Sequence, residues 1–207
     1  MNGSGEPSST APHGAHSVAD AVLAERLAAR DTGALRDVIA LHAAMLNRIA
    51  YRMTGDEHEA EDIVQEALLR LWDQAPTIAA RHPVGSQAAG KLRLGGWLNR
   101  VATNLAIDRL RRARRLSNGA VPDSEDETPL ADALIETDQR DRSARELIAA
   151  LPERQRAAIV LTYFEELSNA AAAEALEMNI KAFESLLLRA RTALRNAFAT
   201  RAQGEVQ

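Results

Sequence analysis

Three features of the 207-residue chain predict an all-α protein. Alanine, the best helix former, occurs 41 times against 9 Val and 9 Ile, the residues that suit pleated sheets. Aromatic residues are only 3% of the chain, and the apolar residues recur at mixed spacings of three and four instead of alternating. The expected architecture is two small helical domains joined by an acidic flexible linker, the second a helix-turn-helix domain.

The first element follows a tail. Residues 1–17 are rich in Gly, Ser, Pro and His and hold too little apolar surface to offset the entropy of ordering. A short amphipathic helix is expected over residues 18–29. A longer one runs from Asp31 or Thr32 to Met53, with Leu35, Val38, Ile39, Leu46, Ile49, Ala50 and Met53 on the buried face, and Gly55 stops it. Asp56, with Glu59 three residues on, has the order of a capping box and opens a helix to about Asp73. Residues 75–96 contain Pro76, Pro83 and several glycines and read as a loop. The helical pattern resumes at Trp97 and ends in an arginine cluster at Arg115, which closes a first domain over 18–115.

Charge marks the boundary. Between residues 91 and 115 eight cations meet a single carboxylate, Asp108, whereas between 123 and 141 eight carboxylates meet a single cation, Arg140. A formal net charge of −4 therefore averages a basic surface and an acidic linker, placed at 116–142. The second domain spans 143–199, before a polar tail over 200–207. Pro152 suits the first turn of a helix reaching Phe164, Ser168 can cap a short helix to Glu177, and Asn179 can cap a last one to about Ala199. Two capped helices about a short turn have helix-turn-helix spacing.

Several function classes drop out. No apolar run approaches the roughly 18 residues of a membrane span. The N-terminus lacks the apolar core of a secretory signal, and the absence of Cys suits a reducing compartment, so a cytoplasmic protein without membrane insertion is expected. The five His have no metal-ligand spacing, the carboxylates sit in solvated runs, and no Gly-rich phosphate loop follows a strand. No catalytic residue, metal or cofactor is expected, and the chain does not read as an enzyme.

Three constellations could carry function. Asp62, Gln65, Glu66 and Leu69 share one helix face, although most polar stripes of this kind are only solvated. The segment from Trp97 to Arg115 offers an aromatic that could stack on a base, an Asn104–Asp108 pair, and arginines suited to bidentate phosphate contact; Trp97 could equally be core. In the last helix Ile180, Phe183, Leu187, Ala190 and Leu194 form the core stripe. Lys181, Glu184, Ser185, Leu188 and Arg189 stand off it near the N-terminus, where a recognition helix meets base edges.

Taken in order, the stretches AYRMTGDEHEAEDIVQEALLRLW, WLNRVATNLAIDRLRR, LPERQRAAIVLTYFEELS and LLLRARTALR resemble the bacterial extracytoplasmic-function sigma factors over residues 20–198. The resemblance implies a subunit that binds core RNA polymerase and directs promoter-specific transcription initiation, in a stress or envelope response. Asp62, Gln65, Glu66 and Leu69 would dock on the polymerase clamp helices. Trp97, Arg100, Asn104, Asp108, Arg109, Arg111, Arg112 and Arg115 would form the minus-10 surface, with a flipped base received by the loop before Trp97. Lys181, Glu184, Ser185, Leu188 and Arg189 would read the minus-35 duplex. Glu184 and Leu186 stand where the family often carries cations, which weakens the expected phosphate contact there. The implied partners are core polymerase, promoter DNA and an anti-sigma factor. The alternative is a sigma-like protein that binds an anti-sigma factor without recognising promoters.

Overall fold

The computed structural model describes residues 13–117 and 144–204, and every regular element among them is helical. They are α1 (His13–Ala28), α2 (Thr32–Thr54), α3 (Glu57–Arg81), a single 3-10 turn (Ala89–Lys91), α4 (Leu94–Ser117), α5 (144–149), α6 (Glu153–Ile159) running into a π turn (Val160–Phe164), α7 (Asn169–Ala175) and α8 (Ile180–Gly204). The expected linker lies outside the described residues except for Leu116 and Ser117, which extend α4, and so do residues 1–12 of the tail. Helix α1 starts five residues inside the stretch expected to be tail, and α8 continues five residues past Ala199.

The described residues form two compact units, one of residues 13–40 and 69–94, the other of 41–68, 95–117 and 144–204. In the first, Ala21, Ala24 and Leu27 of α1, Val38 of α2, and Leu71, Ala75 and Ile78 of α3 are buried. Helices α1 and α2 are joined by Arg26, which donates to Asp31 and Asp37, each at 2.8 Å. The Arg26 guanidinium, followed by the Gly33 amide, holds the Asp31 carboxyl below its usual range. A carboxyl depressed in the folded state stabilises above its unfolded pKa and loses that contribution as pH falls through the folded one.

Helix α3 corrects the sequence expectation, for it passes Pro76 without stopping and ends only at Arg81. A proline inside a helix removes the amide that would bond the carbonyl four residues back, here that of Trp72. The Trp72 carbonyl instead accepts from the Arg30 guanidinium at 2.9 Å, and the same group sits 5.1 Å from the centre of the Trp72 ring. Arg30 reaches that position from a left-handed backbone, φ 62°, at the end of α1. Replacing Arg30 with Ala should therefore cost about 1 kcal/mol, on the scale of a charged hydrogen bond at an exposed site. In a Pro76→Ala background the new alanine amide can serve the carbonyl, and the cost should shrink to that of the ring contact. Urea unfolding of the four-variant cycle checks this, and equal costs in both backgrounds would contradict it.

The segment expected to be a long loop over 75–96 contracts to about residues 82–93, because α3 overruns it from one side and α4 begins early from the other. Contacts with α1 pin it: Glu25 accepts from the Val84 amide at 2.9 Å, and Asp20 accepts from the Leu94 amide at 3.0 Å. The second contact caps α4 from a distant helix, so the glycines of the first turn, Gly95 and Gly96, do not prevent the helix. A β-carbon on Gly95 would lie 3.0 Å from the His42 ring, so glycine lets α4 approach α2 closely there.

The second unit buries Leu46, Ile49, Ala50 and Met53 of α2, Ala60, Ile63 and Ala67 of α3, and Leu98, Ala102, Leu105 and Ala106 of α4. Gly55, with φ 76°, ends α2, and Asp56 caps α3 by accepting from the Glu59 amide at 2.9 Å, both as expected. In the C-terminal part, α8 packs on α6 and α7 around Phe183, Leu187 and Ala190. Ser168 accepts from the Ala171 amide at 3.2 Å and Asn179 from the Ala182 amide at 2.9 Å, the two expected caps. Ile180, placed on the core stripe by its spacing, is 46% exposed at the first position of α8, and Leu186 is buried.

Candidate nucleic-acid interface

Helix α4 has two faces. Leu98, Ala102, Leu105 and Ala106 are buried, and Arg109 continues that stripe four residues after Leu105. Its guanidinium turns back to α3, where it meets Glu59 at 2.5 Å, Glu66 at 3.3 Å and Asp62 at 3.8 Å. The hydrogen bond it donates to Glu59, foremost among these contacts, raises the pKa of Arg109 further. Arg109 thus sits apart from the other arginines. It holds together two members of the α3 stripe, Asp62 and Glu66, and not an open phosphate site.

Arg100, Asn104, Asp108, Arg111 and Arg115 follow one another at steps of four, four, three and four on the other face. Arg111, Arg112 and Arg115 are exposed, and Trp97, Arg100 and Asn104 are partly buried. Arg111 lies 4.0 Å from Asp108, and Arg115 donates to the Arg111 carbonyl at 3.2 Å, contacts that keep the cations on one ridge. The ridge presents several guanidinium groups beside an amide and an aromatic, which suits a backbone with unpaired bases. Because α4 already includes Leu94–Gly96, only residues up to Arg93 are left as a loop before Trp97.

On α3, Asp62 and Gln65 are exposed, Glu66 is partly buried against Arg109, and Leu69 is 63% exposed. An open groove lies beside them, lined by Ala43, Ala44 and Asn47 of α2 and Glu61, Val64 and Gln65 of α3. On α8, Lys181, Glu184, Ser185, Leu188 and Arg189 are all exposed within its first ten residues, and Ser185 donates to the Lys181 carbonyl at 3.0 Å. Each of the three constellations is therefore presented at the surface, Arg109 excepted.

Two charged residues that the sequence does not mark as functional are buried or engaged in α6. Arg154 donates to the Leu176 carbonyl at the end of α7, at 2.7 Å. Arg156 is buried and donates to the Met53 carbonyl at the end of α2, at 2.5 Å, and to the Ala149 carbonyl at the end of α5. Burial lowers its pKa, partly offset by the Glu153 carboxylate, and the carbonyl ends of two helices add negative potential. No group of His, Cys, Asp and Glu among the described residues could hold a metal ion, and no described helix is long and apolar enough to cross a membrane.

An arginine ridge on one helix and a doubly capped helix-turn-helix define a helical nucleic-acid-binding protein. Comparison with known proteins sharpens the class. Family models match as Sigma-70 region 2 over residues 38–116 and Sigma-70 region 4 over residues 141–194. The chain is 30% identical over 176 residues to the ECF RNA polymerase sigma factor SigW of Bacillus subtilis, covering 80% of this chain and 89% of SigW. It is 33% identical over 167 residues to SigE of Mycolicibacterium smegmatis, covering 79% of this chain and 61% of SigE. The fold matches CnrH, solved with the cytosolic domain of CnrY, at a TM-score of 0.61 and 24% identity over 88% of this chain and 98% of that one. It matches the sigma factor RpoE of Bartonella quintana, solved with the anti-sigma factor NepR, at 0.57 and 22% identity over 79% and 96%. The chain belongs to the ECF sigma factors of RNA polymerase, a family of transcription proteins and not of enzymes.

Proposed function

We propose that this chain binds core RNA polymerase in the cytoplasm and directs it to promoters, with α4 reading the minus-10 element as a single strand and α8 reading the minus-35 duplex. The observation that carries this is the α4 ridge, where the partly exposed Asn104 lies in line with the exposed Arg111 and Arg115. An amide can discriminate a base edge, whereas guanidinium groups hold phosphates of any sequence. The ridge also favours promoter binding over a sigma-like protein that only occupies an inhibitor, for which open cations at that place have no use. The α3 stripe serves as the polymerase-docking face, with Leu69 as its apolar anchor. Both solved neighbours were captured with a protein partner, and we extend an anti-sigma partner to this chain.

Run-off transcription with core polymerase on a genomic promoter library tests the proposal. Discrete transcripts that core alone does not make are expected. Glu66→Lys should weaken core binding about tenfold, as loss of a central interface contact does, while Arg109 stays anchored by Glu59. A transcript pattern identical to that of core enzyme would overturn it.

A further inference from the structure

Helix α8 presents its first turns to the outside as one ridge. Lys181, Ser185, Leu188 and Thr192 follow one another at steps of four, three and four, and all four are exposed. Phe183, Leu186, Leu187 and Ala190 are buried on the opposite side, so the ridge is the part of α8 open to a partner. Its chemistry is one-sided. The Ser185 hydroxyl donates to the Lys181 carbonyl and the Thr192 hydroxyl to the Leu188 carbonyl, each at 3.0 Å. Both hydroxyl protons are committed to the helix itself, which leaves these side chains with acceptor lone pairs and, for Thr192, a methyl group. Leu188, 63% exposed, stands between them. One turn before it, the exposed Glu184 carboxylate has no ion-pair partner among the described residues, although Lys181 lies only three residues away.

A single exposed Leu or Glu on a helix is ordinary. On a helix that meets a polyanion it is not, because an unpaired carboxylate repels the phosphates around it and is tolerated only where it finds a donor. In the major groove the amino groups of cytosine and adenine are the donors, the C5 methyl of thymine is the apolar feature, and guanine offers acceptors alone. From Glu184 to Thr192 the helix presents acceptors and methyl groups, which match the first three and not guanine. Arg189 and Arg191, exposed on either side of Leu188 around the helix axis, are suited to the flanking phosphates.

We infer that α8 selects its duplex by methyl groups and amino donors: Leu188 packs on the C5 methyl of a thymine, and Glu184 accepts from the exocyclic amino group of a cytosine. Four residues of helix rise about 6 Å against about 3.4 Å per base step, so the two bases lie within about two pairs of each other. The inference rests on the role proposed above for α8 as reader of the minus-35 duplex, and adds which chemical groups that helix reads.

Selection by the holoenzyme from duplexes randomised upstream of a pre-opened segment tests it, since strand opening then no longer contributes. Thymine and cytosine should be enriched close together. Exchanging that thymine for deoxyuridine removes the methyl group alone and should weaken binding about fourfold, the contribution of one buried methyl. Leu188→Ala should bind the thymine and deoxyuridine duplexes alike. Glu184→Gln should move the preference from cytosine to adenine, whose N6 and N7 a carboxamide meets, by about tenfold. Circular dichroism checks that both variants keep their helices. Deoxyuridine tolerated without loss by the unaltered chain, or the same loss with Leu188→Ala, would overturn the role of Leu188. Tighter binding of every sequence by Glu184→Gln, with the preference unchanged, would show that the carboxylate merely repels phosphate. A selected sequence lacking thymine or cytosine would overturn the inference and leave α8 as a reader. If the unaltered chain selects no upstream sequence at all, the role of α8 as a reader fails, and the inference with it.

Discussion

Replacing Arg156 with alanine is expected to lower the stability of the folded chain by about 3 kcal/mol, because it strips the donor from two helix-end carbonyls, that of Met53 in a buried setting. The carbonyls of Met53 and Ala149 face the guanidinium; the Met53 contact is buried, where water has little access to replace it, and the Ala149 contact is part-buried. The loss has two parts that can be separated. Arg156→Met keeps the apolar stem and removes the donors, so it should lose most of the effect, which assigns the cost to the helix ends and not to packing. Arg156→Lys keeps one charge but cannot span both carbonyls, and should fall between. Urea unfolding followed by circular dichroism reads all three. Alanine and methionine variants as stable as the unaltered chain would show that the two helix ends need no cap.

Much of the helical framework is legible in the sequence because each helix declares its own ends. Gly55, Asp56, Ser168 and Asn179 do locally what their residue types predict, and Val38, Ile49 and Phe183 lie on the stripes their spacing assigns. The failures are all tertiary. Pro76 reads as a stop, and Arg30, 46 residues earlier, satisfies the carbonyl it orphans. Gly95 and Gly96 read as loop, and Asp20 of α1 supplies the cap that lets α4 begin before them.

The candidate site is legible in outline for the same reason, with one signal easily missed. Sequence proximity groups Arg109 with its arginine neighbours, but Leu98, Ala102, Leu105 and Arg109 step by four, three and four, which puts it on the buried face. Arg156 bears the same mark, three and four residues before the buried Ile159 and Val160. A cation on an apolar stripe must be met by something, so the sequence shows that a partner is needed though not which. Glu165 has no such signal, since the π turn that directs it toward Arg48 and Arg52 breaks the helical period.

The second large effect concerns the division of labour along α4. Asn104→Ala removes the group proposed to meet a base, and its cost of roughly 1–3 kcal/mol should fall on the preferred minus-10 sequence alone. Arg112→Ala removes an exposed cation, so promoter complexes of every sequence should weaken together, and the slope of log affinity against log salt should drop by about 0.7 for a single-strand contact. The most direct measurement is open-complex formation by the holoenzyme across a minus-10 variant library at several salt concentrations, with the unaltered chain, Asn104→Ala and Arg112→Ala. The expected result is a changed order of preference with Asn104→Ala at an unchanged salt slope, and an unchanged order with Arg112→Ala at a shallower one. Parallel loss over all variants with Asn104→Ala, or altered base preference with Arg112→Ala at the original slope, would contradict the assignment of α4 as the promoter-reading helix.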